Sequence, residues 1–531
     1  MIKQFRLFTF IFFLLCAGTL FLCSNQFVDA QTAPKWYCFY FGLPAITGLP
    51  YVFKFQKERY KVLFNNQLLL SVIPGCCFVQ ALYGIGQFSG WFQASNGFRV
   101  TGSFDNPAGF AACLCAGAPF FCYFILNKNP FKKWPAIISL IMVGLAIALS
   151  ASRAGIISFL SVGLWLGFRY LPLSKTKKIL LSAIFLLGLL AGLYFLKKDS
   201  ANGRLLIWQC SREMIRDKPL LGFGPGGFKA HYMNYQADYF ASHPNSSFGM
   251  LAGNVDRPFN EYVGLLVNYG LLGFAVFLAF IVLLWKIYRK RPQSLLSSIA
   301  AWCLLSIAVF ALFSYPLTYP FVWLTGLTGV FIILHPKLSC RRMQVFGKPL
   351  VVLLILAVYY FSYTNMRAEI QWRTIARKSL LGQTEKMLPQ YKSLYKQLRK
   401  NRLFLYNYAA ELNVAGRYGE SLHIAGECAG LWADYDLQML IADNYLQCEQ
   451  YEQAENHYLK ASFMCPVKFT PLYRLYQLYG AAGDRENEFI LANKILVKPV
   501  KVMSPAIQQM KEEVKHLIDL MFERHCKDKE T

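Results

Sequence analysis

The chain has 531 residues, of which 55% are hydrophobic and only 16% are charged, and its formal net charge is +26. So low a charged fraction excludes an ordinary soluble globular protein. The excess of Lys and Arg is also found in nucleic-acid-binding proteins, but here these residues lie in short clusters between apolar runs, which is typical of cytoplasmic loops. We therefore predict an all-α, polytopic membrane protein that binds the lipid bilayer and no nucleic acid.

The apolar runs are long enough to predict eleven membrane-spanning helices. The first has Lys3 and Arg6 at its N-terminal end, as in a secretory signal peptide, but no small-x-small cleavage site directly follows it, so we predict an uncleaved helix. The runs cover residues 5–23, 36–53, 67–85, 107–126, 134–151, 154–168, 179–196, 259–285, 294–314, 318–334 and 349–366.

The loop charges predict the orientation of these helices. With the N-terminus in the cytoplasm, clusters of Lys and Arg fall in every second loop, whereas the short opposite loops contain only Lys35, Arg99 and Arg153. This alternation satisfies the positive-inside rule. The long polar loop 197–258 and the chain after residue 366 are then predicted to face outward.

The part of the chain after residue 366 is charged and water-compatible. A repeat of 33–34 residues is visible, in which 408–418 corresponds to 441–451, and a weaker third copy follows. Small residues, aromatic residues and a closing Pro at these spacings predict a tetratricopeptide-type helical repeat domain; a plain helical bundle is the alternative. We predict a membrane domain at 1–366, with the loop 197–258, and a tail domain at 367–531. The fifteen cysteines show no zinc-binding spacing, so we expect no metal and no cofactor.

The loop contains an amphipathic helix at 203–216. Arg204 and Trp208 are spaced i, i+4 and share one face, which Arg212 continues. The planar guanidinium of Arg binds phosphate oxygens in a bidentate manner. An interfacial helix anchored by Trp, with Arg snorkelling, is the alternative interpretation.

Two further stretches follow in the loop. The glycine cluster 222–227 resembles a phosphate-binding loop, but it has no βαβ context, and a tight turn back to the membrane is the favoured interpretation. Farther on, Arg257 precedes Asn260, which is predicted to cap the next helix, and Glu261, a carboxylate at the start of a span.

Three motifs in this order carry a family resemblance: SRAG at 152–155, GR…W with PLLGFGPGGF at 203–228, and FNEY…YGLLG at 259–273. Together they resemble the O-antigen ligase and polymerase superfamily of bacterial inner-membrane glycosyltransferases. TGSFDNPA at 101–108 also resembles an outward turn of that family. The resemblance covers about residues 1–366, and the repeat tail resembles the periplasmic extensions of some members.

The resemblance implies that a glycan moves from a polyprenyl-diphosphate carrier to an acceptor hydroxyl on lipid A core, glycan or protein. The transfer would take place at the periplasmic face, without a metal. Arg153 and Arg204 match the arginines that hold the diphosphate, and Trp208, Arg257 and Asn260 complete the predicted substrate-binding set. The tail domain would be periplasmic and would bind a protein partner.

One position departs from the family pattern. Ligases of this family have His directly before the Asn that opens the span after the loop, and this chain has Phe259 there. Glu261 is the candidate replacement base, and His243 is a second one. The competing hypothesis is a non-catalytic scaffold, or a transporter, whose tail recruits envelope proteins; the near absence of ionisable residues in the predicted spans argues against ion-coupled transport.

Overall fold

The computed structural model describes residues 2–52, 67–126, 130–170, 198–290, 294–334 and 348–530, with scattered positions between 172 and 192. The described residues are helical with no strand, which confirms the predicted all-α class. They divide into two compact units. The first comprises Met1–Leu196, Phe259–Tyr262 and Gly273–Thr374, and the second comprises Lys197–Pro258, Val263–Leu272 and Ile375–Thr531.

The helices up to the loop are α1 (Ile2–Phe21), α2 (Ala33–Val52), α3 (Gln67–Phe88), α4 (Pro107–Gly117), α5 (Cys122–Ile125), α6 (Pro130–Leu149) and α7 (Arg153–Tyr170). The loop contains α8 (Lys198–Asp217) and α9 (Gly227–Ser242), and then come α10 (Glu261–Arg289), α11 (Leu295–Ala311), α12 (Pro320–Leu334) and α13 (Lys348–Lys378). The tail continues with α14 (Thr384–Leu398), α15 (Arg402–Val414), α16 (Tyr418–Ala429), α17 (Tyr435–Gln447), α18 (Tyr451–Met464), α19 (Thr470–Ala482), α20 (Arg485–Val497) and α21 (Pro505–Glu530).

Among the described residues, five helices are long and apolar enough to cross a membrane: Gln67–Phe88, Pro107–Ile125, Phe131–Leu149, Glu261–Arg289 and Leu350–Leu398. Four shorter apolar helices are Arg6–Phe21, Arg153–Leu164, Leu295–Ala311 and Pro320–Leu334. These nine and α2 coincide with ten of the predicted runs. The run at 179–196 lies mostly outside the described residues, so the total of eleven spans stays a prediction.

The core of the first unit surrounds Pro107–Ile125, and 78% of the most apolar 18-residue stretch of this segment is buried. Small residues let neighbouring helices approach α4 closely, as is common between membrane helices. Buried serine hydroxyls then join three helices. The Ser306 Oγ of α11 donates to the Cys115 carbonyl of α4 at 2.8 Å, and the Ser158 Oγ of α7 donates to the Ser306 carbonyl at 2.8 Å. Such bonds satisfy polar groups that have no access to water.

Lys35, one of the few cations predicted in the outward loops, is fully buried in the first unit. Its ammonium donates to the carbonyls of Gln31 (2.6 Å) and Ser103 (2.7 Å). The Gln87 Oε1 accepts from the amides of Thr101 and Gly102 at 3.0 and 2.7 Å. These bonds hold the 101–106 turn that precedes α4, so Lys35 has a structural role that its loop position did not indicate.

The helix α10 is broken, which corrects the prediction of one continuous span at 259–285. Gly270 has φ 62° and ψ −165°, values that are not helical. The ring of Tyr262 lies 6.0 Å from the ring of Phe277, although fifteen residues of straight helix would separate them by about 22 Å. The chain therefore reverses direction at Gly270, which brings Tyr262 back beside Phe277 within the first unit.

In the second unit, residues of the loop 197–258 are bonded to residues of the tail. The fully buried Gln236 of α9 donates from its side-chain amide to the Met464 carbonyl at 2.6 Å, and the Ala433 amide donates to the Lys229 carbonyl at 3.0 Å. Both bonds join loop residues to tail residues. The helices α15–α16, α17–α18 and α19–α20 form successive pairs in the tail, but their assignment to the tetratricopeptide family and the domain boundary at 366 stay predictions.

Candidate functional site

Arg153 begins α7 at the tip of a tightly packed hairpin. Ala151 adopts a positive φ of 51° to make the turn, and the Ser152 Oγ accepts from the Gly155 amide at 3.3 Å as the cap of α7. A Cβ on Gly155 would lie 2.7 Å from the Cβ of Ala111, so only glycine permits this approach. Arg153 is half-buried, and the turn that carries it is fixed on both sides.

The stretch 259–262 joins the loop to α10. The Asn260 Oδ1 accepts from the Tyr262 amide at 2.9 Å, which confirms the predicted cap. Phe259 has a positive φ of 52°, which is unusual for a bulky residue and costs about 1–3 kcal/mol. Its ring packs against Tyr315 at 5.4 Å. The position of the family's histidine is thus filled by an aromatic side chain with a packing role.

Glu261 is half-buried in the first unit. Its Oε1 accepts from the Leu317 amide at 3.1 Å, at the 3₁₀ turn Pro316–Thr318. A backbone donor therefore fixes the orientation of this carboxylate. The helix N-terminus at which it lies also favours a negative charge.

In the second unit, the helix α8 brings Trp208 against the residue that follows Arg257. The indole Nε1 of Trp208 donates to the Pro258 carbonyl at 2.9 Å. Arg204, one turn earlier, is half-buried beside a face of buried side chains. Arg212 does not continue this stripe, contrary to expectation: its side chain is 66% exposed and pairs with Glu213, which also pairs with Arg216.

The glycine cluster is held by backbone bonds to 267–268. The amides of Phe223 and Gly224 donate to the carbonyls of Val267 (2.9 Å) and Asn268 (2.8 Å). The Asn268 Oδ1 accepts from the Phe228 amide at 2.9 Å, at the start of α9. These amides face protein oxygens, so the favoured interpretation of a tight turn, rather than a phosphate-binding loop, fits the geometry.

The two loop histidines lie in the second unit. His243 is exposed and stacks on Tyr239 at 4.7 Å. His231 lies 4.8 Å from the Phe223 ring, and burial, with a smaller contribution from Lys218, lowers its pKa below the ordinary value. Both histidines therefore belong to a different unit from Glu261, the candidate base, which lies in the first unit.

Sequence reasoning missed an ion pair beside Arg257. The guanidinium of Arg402, in the tail, binds both carboxylate oxygens of Asp256 at 3.0 and 2.5 Å. It also lies 4.7 Å from the Trp432 ring, and the Trp432 Nε1 donates to Asp256 at 3.2 Å. Burial lowers the pKa of nearby Lys229 to about 8, assisted by the charges of Arg402 and Arg257. No local signal could reveal a pair separated by 146 positions.

We expect Arg402→Gln to destabilise the second unit by about 1–3 kcal/mol, because it removes a bidentate bond to a carboxylate. Burial raises the pKa of Asp256, but Arg402 outweighs this effect and holds the pKa below its ordinary value. The stabilisation is therefore present above the unfolded-state pKa, about 3.9, and is lost as pH falls through the folded-state pKa. Thermal unfolding of the full chain in detergent at pH 3–8 measures it.

The matched control is Arg417→Gln. Arg417 pairs with Glu420 on the tail surface, with both side chains about half exposed, so its loss is expected to cost less than about 1 kcal/mol. Equal shifts for the two variants, or a difference between wild type and Arg402→Gln that grows as the pH falls, would contradict the role assigned to the Asp256–Arg402 pair.

The structure distributes the predicted residues over its two units. The first contains Arg153, Phe259, Asn260 and Glu261, and the second contains Arg204, Trp208 and Arg257. Among the described residues, no group of three His, Cys, Asp or Glu side chains is arranged to hold a metal ion.

The region that contains Arg153, Arg204 and Glu261 is similar to a known protein family. No curated protein matches the chain. The O-antigen ligase family model matches residues 137–278, which include Arg153, the whole loop and the first part of α10. The match confirms the resemblance of this multi-pass membrane protein to the O-antigen ligase superfamily over residues 137–278, the region that contains the three sequence motifs.

Proposed function

We propose that the chain is a glycosyltransferase of the O-antigen ligase type. It moves a glycan from a polyprenyl-diphosphate carrier to an acceptor hydroxyl of lipid A core, glycan or protein. The observation that carries the proposal is the family match over 137–278, which contains Arg153, Arg204 and Glu261. The transfer takes place at the periplasmic face of a bacterial inner membrane.

In the proposed reaction, the acceptor oxygen attacks the anomeric carbon, the bond from that carbon to the diphosphate oxygen breaks, and the acceptor proton passes to a base. Negative charge develops on the departing diphosphate. The guanidinium groups of Arg153 and Arg204 stabilise it through charge-assisted hydrogen bonds. Trp208, Arg257 and Asn260 contribute to substrate binding, and the reaction needs no metal or cofactor.

Glu261 is the proposed base, since Phe259 stands where the family's histidine is expected. We expect Glu261→Gln to lower the turnover rate by about 10²–10⁴-fold, with little change in KM, because the amide cannot accept the proton. The Gln oxygen retains an acceptor for the Leu317 amide, so the structure should be preserved. Single-turnover transfer from a polyprenyl-diphosphate glycan measures the effect; a rate close to wild type would show that Glu261 only caps the Pro316–Thr318 turn.

A second candidate function is a membrane scaffold without transfer activity. Two observations favour it: the aromatic packing of Phe259 and the bond that already occupies Glu261. In both functions we propose that 367–531 is a periplasmic tetratricopeptide-like domain that binds a protein partner of the cell envelope.

Glycan profiles of a strain that lacks the gene separate the two functions. If the chain is a transferase, a glycosylated lipid or protein species disappears, and wild type but not Arg204→Ala restores it. Restoration by Arg204→Ala would favour the scaffold. Unchanged lipopolysaccharide and glycoprotein profiles would contradict the transferase.

A further inference from the structure

Two leucine pairs form an exposed apolar patch in the second unit, which we call the leucine patch. Leu220 and Leu221 follow Pro219 in the loop, and Leu271 and Leu272 follow the break in α10. Their side chains are 61, 73, 52 and 54% exposed, in that order. Such a cluster is unfavourable in water, at about 25 cal/mol per Å² of apolar surface.

The backbone holds the two pairs side by side. The Leu271 amide donates to the Pro219 carbonyl at 2.8 Å, and the Leu272 amide donates to the Leu220 carbonyl at 3.1 Å. The first amides of a helix have no partner within the helix. The loop carbonyls thus cap the helical segment that begins at Leu271.

This cap is suited to a lipid environment. Segment 271–289 has nineteen residues, enough to cross a bilayer, and lies within a candidate span. Exposed backbone donors are not tolerated in hydrocarbon, and here the donors of Leu271 and Leu272 are satisfied by 219–220. The segment 219–221 carries no charge, and its side chains continue the apolar surface with which the span begins.

The residues just before the patch fit lipid headgroups. Arg212, Arg216 and Lys218 are exposed, and these three cations outnumber the two carboxylates of the same stretch, Glu213 and Asp217. Lys and Arg near a membrane surface are attracted to phosphate headgroups. Apolar side chains bordered by cations are typical of an element that lies in the membrane interface.

We propose that the loop segment 219–221 inserts into the bilayer beside the start of the 271–289 span, so that the leucine patch contacts lipid acyl chains. The occupant of the patch is the leaflet at the Leu271 end of the span. The loop is thereby fixed to the membrane at a point more than twenty residues after its start. This inference concerns lipid contact and does not depend on transfer activity.

Photo-crosslinking tests the proposal in the full chain. The photoreactive residue p-benzoylphenylalanine replaces Leu221, which is 73% exposed, in protein reconstituted with alkyne-tagged phospholipid. Two matched positions have the same exposure: Val276 in the span (71%) and Val414 in the tail (72%). All three side chains are exposed, so the substitutions should leave the fold intact.

We expect light-dependent lipid adducts at positions 221 and 276 and none above the dark background at 414. The proposal is overturned if position 221 gives no lipid adduct, or crosslinks to protein instead. It is also overturned if 221 and 414 are labelled equally, since exposure alone would then explain the adduct.

Discussion

Replacement of Arg204 or Arg153 with alanine is expected to lower glycan transfer by about 10²–10³-fold each, the usual effect of removing one donor that stabilises developing charge. Arg→Lys should restore only part of the rate, because Lys provides a point charge without the bidentate fork. Transfer from a polyprenyl-diphosphate glycan measures the rate, and an immunoblot of the membrane fraction verifies the protein level.

Arg212→Ala is the matched control on the same helix as Arg204. Its side chain is 66% exposed and shares Glu213 with Arg216, so we expect transfer at the wild-type rate. An Arg204→Ala variant as active as Arg212→Ala would contradict a role for Arg204 in binding the diphosphate.

The double variant tests whether both arginines act on one diphosphate. Groups that stabilise the same charge have non-additive effects. We therefore expect the double variant to lose less than the product of the two single losses. Losses that multiply would indicate that the two guanidinium groups act independently.

The second large effect is expected at Gly270. Its φ of 62° and ψ of −165° lie in a region that only glycine adopts readily, and a Cβ there would lie 2.3 Å from the Leu220 carbonyl oxygen. The backbone conformation alone costs a non-glycine residue about 1–3 kcal/mol. Since the contact is with backbone, no rotamer change relieves it, and we expect Gly270→Ala to lower the thermal stability strongly.

Gly426→Ala serves as the comparison for this variant. Gly426 lies in the helix α16 with nothing within 4 Å of a Cβ, so alanine should raise the stability by up to about 1 kcal/mol through helix propensity. Thermal unfolding of both variants in detergent measures the difference. A Gly270→Ala variant as stable as wild type would show that α10 is continuous through this residue.

Features that depend on local sequence were predictable. The apolar runs gave the helices, because length and hydropathy are properties of each segment alone. The Asn260 cap followed from the preference of Asn for the position before a helix. Arg204 and Trp208 lie together on α8 because helical spacing decides that neighbourhood.

Features that depend on distant residues were not predictable. Gly270 lies in an apolar run in which glycine is common, and nothing local distinguishes a chain reversal from a tolerated glycine. The Asp256–Arg402 pair joins residues far apart in the chain. Arg212 follows Trp208 at the same helical spacing, yet its side chain is exposed and pairs with Glu213. Lys35 resembled a loop cation and is buried by the 101–106 turn.

The bond between Gln236 and the Met464 carbonyl has a consequence for biosynthesis. The two residues are 228 positions apart, so the ribosome makes Met464 about 10–45 s after Gln236 at ordinary elongation rates. During that interval the loop has already left the ribosome, but its buried glutamine lacks the acceptor that the tail later supplies. The bond between the loop and α18 therefore forms only after α18 has been translated, so this contact of the second unit is made late in synthesis.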